Sequence, residues 1–146
     1  IYIQHGSAPY IFSAAMTPAN AAASLEALRI LNDEPDHIKR LRRNAALLRE
    51  GLLHLGLDAG SSTTPIVPLH LGNEWRAYHW ARLLLERGIF VSAVVFPAVS
   101  PGQARLRLCA TAAHRDEHFD ALFEGLDACA AQEATRMPDQ DYAISG

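Results

Sequence analysis

Cysteine is scarce in this sequence, and so are long apolar runs. Cys109 and Cys129 are the two thiols among 146 residues, and their spacing is not that of a metal site. Two reduced cysteines of a cytoplasmic protein are therefore expected, rather than a disulfide scaffold. No stretch reaches membrane length and no signal-peptide pattern is present, so no membrane span is expected. Charge of neither sign dominates: 13 basic against 16 acidic residues leave a formal net charge of −3. That balance gives no basis for nucleic acid or an anionic membrane as partner. The sequence also lacks a glycine-rich phosphate loop, a nucleophile elbow and a Ser-His-Asp pattern, and no nucleophile–base pair can be nominated.

What is present is a composition 49% apolar and 20% charged, which suits one globular unit with a modest core. Residue 1 is isoleucine, and IYIQHGSAPYIF opens extended, apolar and aromatic without a capped first element. This beginning reads as part of a longer or processed chain. Residues 132–146, ending MPDQDYAISG, read as a loosely held tail.

Thr17-Pro18 is a helix start, with threonine as N-cap and proline at the first helical position. The alanine-rich segment after it, with Leu25, Leu28 and Leu31 on one side, is expected to end near Asn32. Its small residues allow close approach to another helix or subunit. A second helix is predicted from about Asp36 to Leu55, since Leu41, Ala45, Leu48 and Leu52 fall at spacings of three and four. The basic run Lys39 to Arg43 on it is either a solvated face or a phosphate patch.

IVPLHLG is a strand, and Pro68 places it at an edge. Asn73 caps a third helix that closes at Gly88. IFVSAVVFP reads as a continuous buried strand. A turn over Ala98 to Gln103 leads to a third strand, ARLRLCAT, and a last helix is predicted from about Arg115 to Ala131. The strand–helix–strand segment predicts a parallel pair, and the short connection after it an antiparallel one. The fold class is α+β: a small three-stranded sheet with helices packed on one face.

In the third strand Ala104, Leu106, Leu108 and Ala110 face one way, and Arg105, Arg107, Cys109 and Thr111 the other. The second set is either a solvated face or a site where an arginine fork takes a carboxylate or phosphate. Cys109, Thr111 and two alanines are small for an ordinary Lys/Glu-rich surface, which favours the site. His114 is a turn or capping residue, or part of that site. His114 and His118 are four apart, a metal-type spacing on a helix, but no third ligand stands in a convincing place. His70 and His79 are expected to be partly buried and hydrogen-bonded.

The segments YIFSAAMTP, RLRRNAALLREGL, TPIVPLHLG and LLERGIFVSAVVFPAVSPGQARLRLCATAAH, with a closing amphipathic helix, resemble the C-terminal third of the α-oxoamine synthases. That family is a branch of the fold-type I enzymes that use pyridoxal phosphate. The resemblance covers residues 8 to 131 in unbroken order. It implies an acyltransferase that condenses an amino acid with an acyl-CoA, releasing CO2 and CoA and leaving an α-aminoketone. It further implies a cytoplasmic homodimer, with residues 1–16 a lead-in from an N-terminal cofactor domain and 17–131 the C-terminal small domain.

By the same resemblance Arg107 holds the amino acid carboxylate; Arg105, one pleat away, is expected to be structural or to stand behind it. Phe12 to Thr17 matches a loop that reaches the partner's cofactor phosphate. Here Ala14 and Ala15 stand where hydroxyl residues are usual, leaving Ser13 as the cofactor-binding candidate. The one lysine, Lys39, matches nothing catalytic, so the Schiff-base lysine is absent and the chain alone is expected to be inactive. A free-standing non-catalytic module that dimerises, or binds small carboxylates, is the alternative.

Overall fold

The computed structural model describes residue 6 and residues 16–136. The chain divides in sequence between His37 and Ile38 into two compact units. In the first, helix α1 spans Pro18–Asp33. Thr17 caps it, its hydroxyl accepting the Asn20 N–H at 3.3 Å. The Glu34 N–H closes its end on Ile30 O, directly before Pro35. No residue of α1 is buried; Leu25, Leu28 and Leu31 all stand exposed.

The second unit holds α2 (Asp36–His54, which starts just ahead of it), β1 (Ile66–Gly72), α3 (Glu74–Glu86), β2 (Ser92–Val94), β3 (Ala104–Cys109) and α4 (Asp116–Arg136). Helix α2 buries the predicted stripe Ala45, Leu48 and Leu52, and with it Asn44. It ends one residue short of the predicted Leu55. Gly56, at φ +68°, is the left-handed stop, with its N–H on Leu53 O and that of Leu57 on Leu52 O.

The three strands lie in the order β1-β3-β2. Both outer strands run antiparallel to β3. The expected parallel pairing of β1 with β2 is therefore not formed. The two strands do point the same way, but the α3 crossover spans one strand width, and β3 fills the gap. Pro68 sits in the edge strand β1, where a missing N–H costs no ladder bond on the open side.

IFVSAVVFP is not a buried strand. Three residues of it pair, all half-buried, while Phe90 is 81% and Phe96 60% exposed. β2 is the other edge, so one layer of helices can cover only one side of it. Helix α4 runs on to Arg136, beyond the expected limit at Ala131. Residues 137–146 lie outside the described residues.

Val67, Leu69, Leu106 and Leu108 form the inner face of the sheet. They bury against Leu48 and Leu52 of α2, Trp80 and Leu84 of α3, and Leu126 of α4. All of these are 2% exposed or less. Burying each such leucine contributes about 1.5–3 kcal/mol, so this single layer of helices dictates which sheet face is free. Two glycines let the helices close in. The ring of Phe123 on α4 occupies the space beside Gly51, where a Cβ would lie 2.0 Å from it, and Leu84 stands 2.9 Å from the Cβ position of Gly125. Arg76 ties α3 to α4. Its Nε meets the Glu133 carboxylate at 2.8 Å, and its guanidinium lies over the Trp80 ring.

Candidate functional site

The outer face of the sheet is built by alternation along β3. Its burial runs buried, half-buried, buried, exposed, buried, exposed from Ala104 to Cys109, which sets Arg105, Arg107 and Cys109 outward, as predicted. Cross-strand partners share a face. Arg107 is flanked by Pro68 on β1 and Ser92 on β2, Arg105 by His70 and Val94, and Cys109 by Ile66.

None of these neighbours is acidic. Arg105 is partly engaged, its Nε donating to Gln103 O at 3.0 Å. Among the described residues none gives Arg107 a hydrogen bond or an ion pair. A planar donor fork, held on a rigid strand without a counter-charge, is suited to a carboxylate taken in two parallel bonds.

Beyond β3 the chain turns through Thr111 to Arg115 before α4 starts. Asn44 on α2, 1% exposed, donates its two amide hydrogens to Thr111 O at 2.8 Å and His114 O at 2.9 Å. Its oxygen accepts from Arg43 Nη1. Sequence reasoning passed over this residue. The available signal was an asparagine beside Ala45 in the buried stripe of a helix, a place where a polar side chain must have partners.

His114 takes part in the turn: its Nδ1 accepts the Thr111 N–H at 3.2 Å. Burial, and then the neighbouring His118, hold its pKa below the ordinary histidine value. The His114 and His118 rings meet edge to face at 5.7 Å. No group of three His, Cys, Asp or Glu side chains among the described residues is placed to hold a metal ion. A groove of about 470 Å³ runs beside this turn, with Phe90, Cys109, His114, His118 and Phe119 among its walls.

His70 and His79 are half-buried, but the hydrogen bonds expected of them are not formed by the described residues. The Nε2 of His70 stands 3.0 Å from the Cβ position of Gly60, and His79 stacks on Trp75 at 4.8 Å. Both rings are held by packing. Of the basic run, Arg43 pairs with Asp116 at 2.8 Å, which joins α2 to the start of α4. Cys109 is exposed and Cys129 buried, and both are free thiols. Burial raises the pKa of Cys129.

Ser13, Ala14 and Ala15 lie outside the described residues, and Thr17 is the cap of α1. Lys39 is on α2, in the layer that covers the inner face, while Arg107 projects from the outer one. The described residues thus place the Arg107 guanidinium on the outer face with no lysine beside it. No helix among them is long and apolar enough to cross a membrane.

Residues 2–126 match the family described as aminotransferase class I and II. The 8-amino-7-oxononanoate synthase 1 of Bacillus velezensis is 38% identical over 131 residues, which cover 90% of this chain and 34% of the relative. The 8-amino-7-oxononanoate synthase of Thermoanaerobacter pseudethanolicus is 39% identical over 126 residues, 86% of this chain and 32% of the relative. A lysine-to-alanine variant of a serine palmitoyltransferase from S. paucimobilis, solved with a bound PLP–myriocin aldimine, superposes with a TM-score of 0.77 at 26% identity, covering 92% of this chain and 34% of that one. The chain spans about a third of the length of the curated relatives it matches.

Proposed function

Because this chain belongs to the aminotransferase class I and II family, we propose that it forms the C-terminal part of an enzyme that uses pyridoxal phosphate to join an amino acid to an acyl-CoA. The reaction is of the α-oxoamine synthase type. The amino acid's α-carbon displaces CoA from the thioester, CO2 leaves, and an α-aminoketone remains. The relatives named 8-amino-7-oxononanoate synthase support this reaction over transamination. Pyridoxal phosphate, when bound, supplies the electron sink for the α-carbanion.

The contribution of this chain is the carboxylate clamp. Arg107 takes the amino acid carboxylate in a bidentate grip, and β3, paired on both sides, fixes the main-chain position from which the side chain reaches. Fixing that group sets the orientation of the bonds around the α-carbon, so one arginine serves affinity and the choice of reaction together. Arg105, half-buried and bonded to Gln103 O, stiffens the strand beside it. The remainder of the enzyme supplies the Schiff-base lysine, and this chain alone is inactive. A homodimer belongs to the same reading.

The observation that carries this reading is the outward guanidinium of Arg107, set between Pro68 and Ser92 with no acid beside it. The test is release of CoA thiol by the complete enzyme, across a panel of amino acids and acyl-CoA thioesters. Thiol release dependent on both substrates, and strongly reduced in Arg107→Ala, is expected. A complete enzyme that transfers amino groups between keto acids and releases no thiol would overturn the reading.

A further inference from the structure

His114 in the turn between β3 and α4, and His118 in the first turn of α4, each accept a main-chain N–H through Nδ1. The Nδ1 of His114 accepts the main-chain N–H of Thr111 at 3.2 Å, and the Nδ1 of His118 accepts that of Arg115 at 3.0 Å. A ring nitrogen that accepts from an amide must present its lone pair, so both rings are neutral with the proton on Nε2. Protonation puts a hydrogen on Nδ1 and turns each acceptor into a donor facing a donor. Neither bond survives that change.

We propose that the Thr111–Arg115 turn is a pH-sensitive latch, closed while His114 and His118 are neutral and loosened when either ring is protonated. The surroundings of the rings favour release. His114 faces His118 and Phe119 from α4. Cys109 of β3 and Arg87 from the end of α3 share its groove, which no carboxylate of the described residues lines. A second positive charge at His114 would thus meet His118 and Arg87 without a counter-ion.

His118 differs in having a carboxylate near it: Glu117 lies 3.9 Å from its Nε2. Glu117 is in turn paired with Arg115. On the α2 side Arg43 and Asp116 neutralise each other. The two Asn44 bonds to Thr111 O and His114 O do not titrate. The latch therefore loosens the turn and the first residues of α4 while Asn44 still holds the turn to α2. The inference stands apart from the role given to Arg107.

Ring-nitrogen NMR of the complete enzyme labelled at histidine, together with amide hydrogen exchange at Thr111 and Arg115, tests it. At pH 8 both rings should be Nε2–H tautomers. Between pH 8 and pH 5, protection at these two amides, corrected for intrinsic exchange, should fall about five- to tenfold. In the double variant His114→Asn/His118→Asn, an amide oxygen replaces each Nδ1 and the fall should vanish. An Nδ1–H tautomer for both rings at pH 8, or an equal loss of protection in wild type and double variant, overturns the latch. If the double variant does not fold, the wild-type tautomers and protection decide alone.

Discussion

Pro68 stands directly across the β1–β3 ladder from Arg107. A proline offers neither an N–H nor a charged side chain, and Ser92 on the other side is small and neutral. Among the described residues the side chain is thus carried by its strand, with no partner at its tip. Arg107→Ala should leave chain stability within about 0.5 kcal/mol of wild type in urea titration, as for other exposed sites. In the complete enzyme it should lower kcat/KM for the amino acid by roughly 30- to 1000-fold, about 2–4 kcal/mol. Arg107→Lys should recover part of this, since a point charge cannot form the two parallel bonds. A variant with unchanged kinetics would remove the clamp.

Asn44 gives a prediction of the opposite kind, a large stability effect away from the clamp. Asn44→Ala takes the Asn44 donor from His114 O and leaves Thr111 O only the His114 N–H at 3.3 Å, at a cost of about 1–3 kcal/mol. Asn44→Asp removes both donors and buries a charge, so it should cost at least as much. Denaturant midpoints check both. A shift under about 0.5 kcal/mol for Asn44→Ala would mean that the turn holds itself.

The lowered pKa of His114 fixes the sign of a pH effect. The unfolded chain binds the proton more tightly than the folded one, so stability rises with pH through this window. The His114 contribution is complete above its ordinary pKa of about 6.5 and is lost as pH falls through the folded value. Urea midpoints measured from pH 8 to pH 5 should decline, and His114→Asn should flatten the decline. An equal slope in the variant would assign it to other groups.

Gly51 and Phe123 should behave as one unit. Alanine at 51 gains about 1 kcal/mol of helix propensity, but its Cβ would lie 2.0 Å from the Phe123 ring and so forces the ring aside. Overpacking of this kind costs about 1–3 kcal/mol. Gly51→Ala should therefore be neutral to destabilising by about 2 kcal/mol. In a Phe123→Leu background it should become stabilising. A double-mutant cycle by denaturant titration measures the coupling, and additive effects would mean that the helices do not meet there.

The parts of this fold that follow from local rules were legible in the sequence. Thr17 and Asn73 accept from the third residue of their helices, Gly56 and Gly88 take positive φ, and β3 alternates as written. Pairing was not legible, because which strand lies between two others depends on contacts far apart in the chain. The same is true of IFVSAVVFP, whose apolar run says nothing about how many layers exist to cover it. At the candidate site, Arg107 could be read because a strand puts every second residue on one face. Asn44 could not, since its partners lie 67 and 70 residues further along.

The central strand is also the last of the three to be made. On a ribosome, everything through Gln103 can emerge and still leave β1 and β2 with no ladder, because each of them pairs with β3 alone. A nascent chain arrested there displays two unpaired edges, the kind that invite a neighbouring polysome product to add a strand. Six more residues, Ala104 to Cys109, close both at once, so the arginine-bearing strand is also the segment whose synthesis ends that exposure.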